Sequence, residues 1–213
     1  MRENRLKAAV ERGDVVCGAG LTIMAPALVE LVGLAGFDFV VLDEQHGWMN
    51  PETTVGMVRA AETVGLTPMV RVPEIDPPLV GKFLDMGVQA VAFPGVGSAQ
   101  DARKAVASVR YEPHGTRGSC PTVRAAGYSV SGWTEHYRRS NRDIFTMLLI
   151  ETREGFDNLE EIVAVEGVDA LLLGPFDLSS SLGVPGQVDH PEVVRRVQEG
   201  RRIALGRGVV LCG

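Results

Sequence analysis

The sequence predicts a parallel α/β domain, most simply a TIM-type (β/α)8 barrel that lacks its eighth βα unit. Three observations carry this. Short, nearly unbroken apolar runs alternate with helix-length amphipathic stretches; a parallel sheet buried on both faces needs such strands, and βα repeats need such spacing. Three segments, LAGFDFVVLD, FLDMGVQAVAFP and VEGVDALLLG, repeat one punctuation, a glycine closing a helix before an apolar strand. Polar residues cluster after the C-terminal ends of several strands, where barrel enzymes build their sites. A doubly wound open sheet is the alternative, but the first βα connection has neither GxGxxG nor GxxxxGK[ST].

In chain order, strands are expected at 15–19, 38–42, 68–72, 89–93, 145–150, 168–173 and 208–212. Helical stretches lie near 26–34, 52–63, 76–85, 98–108, 155–164 and 191–205, after a short charged helix at the N-terminus. The segment 111–143 is too long for an ordinary loop, and such insertions often cover active sites. No low-complexity linker interrupts the chain, so residues 1–213 read as one domain. The chain stops at the seventh strand, ~30–40 residues short of a closed barrel. The eighth unit is expected to be absent or supplied by another subunit.

The chain has 213 residues, 45% hydrophobic and 23% charged, with a net charge of −6 and no long basic block. This argues against nucleic-acid binding. No apolar run reaches the ~20 residues that span a bilayer, and the N-terminus does not read as a secretory signal, so a cytoplasmic location is expected. Cys17, Cys120 and Cys212 have no metal-binding spacing and read as semi-buried thiols in a reducing compartment.

The chemistry is expected at strand ends. The second strand ends in Asp43, Glu44, Gln45 and His46. His46 directly follows a strand and suits a general base, because imidazole titrates near neutrality; the ordinary alternative is a structural hydrogen-bonding histidine. His114, His136 and His190 read as solvated. Arg71 falls inside an apolar strand, where an unpaired guanidinium is costly. It is either half of a buried ion pair or a fixed donor for a carboxylate or enolate. Glu151 closes the fifth strand, and Asp177 follows the sixth just past a Gly-Pro turn. Two carboxylates at neighbouring strand ends call for a cation, and oxygen donors suit Mg²⁺ or Mn²⁺, with Co²⁺ or Zn²⁺ as alternatives. Separate helix-capping roles would be the plainer explanation. The turn Gly174-Pro175-Phe176 offers backbone amides to a substrate carboxylate. The lysines, Lys7, Lys82 and Lys104, all fall in helical segments, which argues against Schiff-base chemistry.

From about residue 15 to the end, the segments LDEQHG, VRVPEIDP, FLDMGVQ, RYEPHGTRG, IETREGFDNLEEI, VEGVDALLLGPFDLS and DHPEV resemble the metal-dependent (class II) pyruvate aldolases of the 4-hydroxy-2-oxoheptanedioate and 2-keto-3-deoxy-sugar-acid aldolase family. The resemblance implies His46 as base, Arg71 as enolate stabiliser, Glu151 and Asp177 as metal ligands, and substrate oxygens held around Gly174 and Phe176. It also implies that Asp85 raises the base's proton affinity, although the residues alone read Asp85 as a helix-terminal surface residue. The implied reaction cleaves a 4-hydroxy-2-oxo acid to pyruvate and an aldehyde. The implied assembly is a hexamer of dimers that exchange their last helix. Oxaloacetate decarboxylation, acyl-CoA lysis and a non-catalytic truncated homologue are the rival readings. Two positions depart from the family pattern: Gln45 stands where glutamate is common, and Leu149 where a substrate-contacting glutamine is usual.

Overall fold

A computed structural model describes residues 3–48 and 50–212. Helix α1 (Arg5–Glu11) is followed by β1 (Gly18–Leu21), α2 (Pro26–Leu34), β2 (Phe39–Asp43), α3 (Pro51–Thr63), β3 (Thr67–Arg71), α4 (Pro77–Met86), β4 (Ala90–Phe93) and α5 (Ala99–Val109). After a 3-10 turn at Arg124–Ala126 come α6 (Trp133–Asp143), β5 (Phe145–Ile150), α7 (Arg153–Asp157), α8 (Leu159–Val163), β6 (Ala170–Leu173), α9 (Pro175–Ser181), α10 (Pro191–Gly206) and β7 (Val210–Cys212). Proline opens α2, α3, α4, α9 and α10, where its missing N–H has no intrahelical partner to lose. The strand order follows the chain, β1 to β7.

The chain divides into two compact units. One comprises the residues up to Val91 with Ala107–Phe145; the other comprises Ala92–Val106 and the residues from Thr146 onward. In the first, β1, β2 and β3 pair in parallel, and the register sets Asp43 opposite Arg71 at the paired strand ends. Val40, Leu42, Met57, Val58 and Val70 are fully buried and form its core. Helix α1 is fastened there by Asn4, whose side-chain oxygen caps Lys7 N–H while its amide nitrogen donates to the carbonyls of Gln89 and Asp143. In the second unit, β5, β6 and β7 pair in parallel with Ile150 opposite Leu173. Leu148, Ile150, Leu171, Leu178 and Val193 pack its interior.

The parallel α/β reading holds, with local corrections. The first strand lies at Gly18–Leu21 instead of 15–19, and Val15 is 99% exposed. Pairing decides this: Gly18 sits opposite Phe39, so close that a Cβ would fall 2.3 Å from the Phe39 ring. The helix expected over 155–164 is two short helices. Thr152 caps the first, and Asn158 interrupts the run by donating its amide to the Gly97 carbonyl. None of the three cysteines is in a disulfide, and Cys17 is exposed, not semi-buried. Among the described residues, no helix is long and apolar enough to cross a membrane.

Candidate active site

The first unit holds an ion pair at the ends of β2 and β3. Arg71 Nε donates to Asp43 Oδ1 at 3.0 Å, and Nη2 donates to Asp43 Oδ2. Arg71 is thus half of an ion pair, with 28% of its side chain exposed. Asp43 also accepts the backbone N–H groups of Gln45 and His46 at 3.1 and 3.2 Å. Burial by itself would raise the Asp43 carboxyl; the Arg71 guanidinium and those two amides override it and hold the group below its ordinary value. The same contacts fix the backbone under His46, whose side chain is exposed. Gly47 completes the turn, since a Cβ there would fall 2.2 Å from the Asp43 carbonyl oxygen. Beside it, burial raises the Glu44 carboxyl against the opposing Thr54 hydroxyl, which donates to Glu44 Oε1 at 2.5 Å; the Asp43 charge adds to the rise.

The second unit holds its charge differently. Glu151 follows β5, and its Oε1 accepts the backbone N–H of Gly95 at 2.7 Å. Gly174 follows β6 and donates its N–H to the Ile150 carbonyl at 2.9 Å. A Cβ on Gly174 would lie 2.8 Å from Glu151 Cβ and 3.4 Å from Oε2, so the glycine is what leaves room for the carboxylate. Asp177 sits exposed in the first turn of α9. Ser179 braces that turn, donating to the Phe176 carbonyl at 2.6 Å and accepting Gly186 N–H at 2.8 Å. Pro175 and Phe176 are exposed. Among the described residues no group of three or more His, Cys, Asp or Glu gathers as a metal cluster. The donors on offer are two carboxylates, a hard-oxygen set that fits Mg²⁺ or Mn²⁺.

Asp85 is helix-terminal, as the residues alone read it, and part exposed; its carboxylate accepts Arg117 Nη2 at 2.9 Å. Asp85 occupies the last turn of α4, just before Gln89, whose N–H bonds the Pro68 carbonyl at the start of β3. His46 follows the far end of the paired β2.

His136 departs from expectation. Instead of being solvated it is 6% exposed, stacked on Trp133 at 5.2 Å and 3.3 Å from the Tyr111 hydroxyl through Nε2. Burial, with the repulsion of Arg117 and Arg139, lowers it to about 4. The polar helix face was misleading because the 111–143 segment folds back and covers it. Sequence reasoning also missed Arg117 and Gly95. The only available signals were an arginine inside the long segment and a glycine in the PGVG turn.

Residues 21–209 match the model of the HpcH/HpaI aldolase/citrate lyase family. The chain belongs to that family. A pyruvate aldolase of Rhizobium etli is 38% identical over 207 residues, covering 96% of this chain and 80% of the relative. A 5-keto-4-deoxy-D-glucarate aldolase of Escherichia coli is 35% identical, covering 92% and 75%. The crystal structure of an HpcH/HpaI aldolase from Desulfitobacterium hafniense superposes with a TM-score of 0.90 at 33% identity, covering 97% and 80%. The resemblance read from the motifs is thus borne out.

Within this HpcH/HpaI member the two departures have clear settings. Leu149 is 2% exposed inside β5, so an apolar side chain occupies that position. Gln45 has a buried Oε1 with no hydrogen-bond partner among the described residues, and a glutamate there would carry its charge into the same confinement.

Proposed function

We propose that this chain is a class II pyruvate aldolase, cleaving a 4-hydroxy-2-oxo acid to pyruvate and an aldehyde. The observation that carries the reading is Glu151, anchored through one oxygen by Gly95 and given room by Gly174, with Asp177 three residues further on. Glu151 and Asp177 would hold a divalent cation, Mg²⁺ or Mn²⁺, with Co²⁺ or Zn²⁺ as substitutes. When bound, the cation supplies Lewis-acid polarisation of the 2-oxo acid and its carboxylate. In the Gly174–Phe176 turn Pro175 has no N–H and Gly174 donates to the Ile150 carbonyl, so the Phe176 N–H is the donor left for the substrate carboxylate.

His46 takes the proton of the 4-hydroxyl. The electron pair of that O–H forms the aldehyde carbonyl, the C3–C4 bond breaks, and its electrons pass into the pyruvate enolate. Arg71, held in place by Asp43, stabilises the enolate oxygen. Protonation at C3 yields pyruvate. Asp85 lies toward the start of β3 and His46 past the end of the paired β2, so we assign the contribution of Asp85 to a second copy, in a homo-oligomer that is a hexamer by the resemblance. A cytoplasmic location fits this small-molecule chemistry.

The test measures pyruvate release from a racemic 4-hydroxy-2-oxo acid, with and without a chelator, beside an oxaloacetate assay. Metal-dependent release that is lost in His46→Ala is the expected result. Release that survives chelation, or a His46→Ala variant with full activity, would contradict the reading. Turnover of oxaloacetate alone would favour a decarboxylase.

A further inference from the structure

Three arginine–carboxylate pairs in the first unit differ in one respect. Arg71 engages both oxygens of Asp43, and Arg124 engages both oxygens of Glu62. Arg117 engages only Oδ1 of Asp85, and Oδ2 accepts no hydrogen bond among the described residues. The Arg117 side chain is 1% exposed, whereas that of Asp85 is 31% exposed. Its second anchor is the buried Ser140 hydroxyl, 2.8 Å from Nη1. The guanidinium carbon stacks 4.4 Å from the Tyr111 ring centroid, and Nε is buried without an acceptor. A pair serving architecture alone gains by satisfying every donor and both oxygens. Here a buried N–H goes unmet while one carboxylate oxygen stays uncommitted.

We propose that Arg117 is a positioning residue for Asp85, fixing one carboxylate oxygen so that the other is presented outward to the base of a second copy. This rests on the reading that Asp85 acts on His46. The 111–143 segment thereby takes part in the reaction through α4. Arg117 grips the Asp85 side chain, and Arg124 donates to the neighbouring Met86 carbonyl at 2.8 Å. The ionisable groups facing Asp85 are Arg117 and, through the same cluster, Tyr111 and His136; Glu62 is already paired with Arg124.

The experiment compares kcat, KM and the pH profile of pyruvate release for the full-length protein and for Asp85→Asn, Arg117→Met, Arg117→Lys and the double variant Asp85→Asn/Arg117→Met. Arg117→Met is expected to lower kcat by about tenfold or more, with KM changed by less than about twofold. It should shift the acid limb in the same direction as Asp85→Asn, and Arg117→Lys should recover part of the loss. The double variant should be no slower than Asp85→Asn, because the arginine acts through the carboxylate. If Asp85→Asn slows the enzyme but Arg117→Met does not, or if the two losses multiply, the positioning role is overturned. If Asp85→Asn leaves rate and profile untouched, the role of Asp85 itself falls. Should Arg117→Met fail to fold, Ser140→Ala and Arg117→Lys carry the test: about a threefold loss of kcat is expected, and unchanged kcat in both overturns the proposal.

Discussion

The ends of β2 and β3 and the ends of β5 and β6 hold charge in opposite ways. At the first, Asp43 neutralises Arg71 and accepts two amides, so the corner carries no net charge apart from its neighbour Glu44. At the second, Glu151 accepts the neutral Gly95 N–H and Asp177 stands exposed in the first turn of α9. An ion pair makes a rigid donor, whereas carboxylates at strand ends are the donors a hard cation takes. Backbone N–H groups fix Asp43 and Glu151, the first with a guanidinium bonded to it as well.

Glu151→Gln should break the second corner most severely. Mn²⁺ affinity, read by electron paramagnetic resonance, and pyruvate release should both fall at least ~100-fold, in line with the loss of a direct ligand. His46→Ala should lose a comparable ~100-fold in kcat while leaving Mn²⁺ affinity unchanged, which separates base from ligand. Gly174→Ala should weaken Mn²⁺ binding by about tenfold, because its methyl group would collide with Glu151 Cβ at 2.8 Å. Asp43→Asn tests the first corner. It leaves a partly buried guanidinium without its counter-ion and should cost about 1–3 kcal/mol in chemical denaturation, with Mn²⁺ affinity retained.

The last effect, confined to acid pH, belongs to His136. A base whose folded value is lowered to about 4 gives stability that is fully present above its unfolded value near 6.5 and is lost as the pH falls between the two. The expected loss is at most ~3 kcal/mol, levelling off below pH 4. His136→Phe should flatten that part of the stability profile. An unchanged slope in the variant would show that another group is responsible.

The candidate residues were legible because a polar residue ending an apolar run is conspicuous: His46, Arg71, Glu151 and Asp177 stand out by position. Alternation likewise exposed the βα order, and the stretch expected near 26–34 coincides with α2. What the pattern could not reveal was contact at long range. Nothing near Asp85 in the chain points to Arg117, 32 residues away, and nothing near His136 announces that Tyr111 and Trp133 will cover it. Gly95 was equally silent, since its role is a backbone N–H that any residue but proline has. The first strand slipped by three residues because VVC is as apolar as GAGL, and only pairing with Phe39–Leu42 chooses between them.

The central claim is a metal-dependent pyruvate enolate, and it can be tested without knowing the aldehyde. Pyruvate is incubated in D₂O with the protein and Mg²⁺ or Mn²⁺, and the C3 methyl signal is followed by NMR. The account predicts deuterium entering C3 at a rate that collapses when the metal is chelated and in Glu151→Gln. Absence of exchange with metal present, or exchange that persists after chelation, would contradict it.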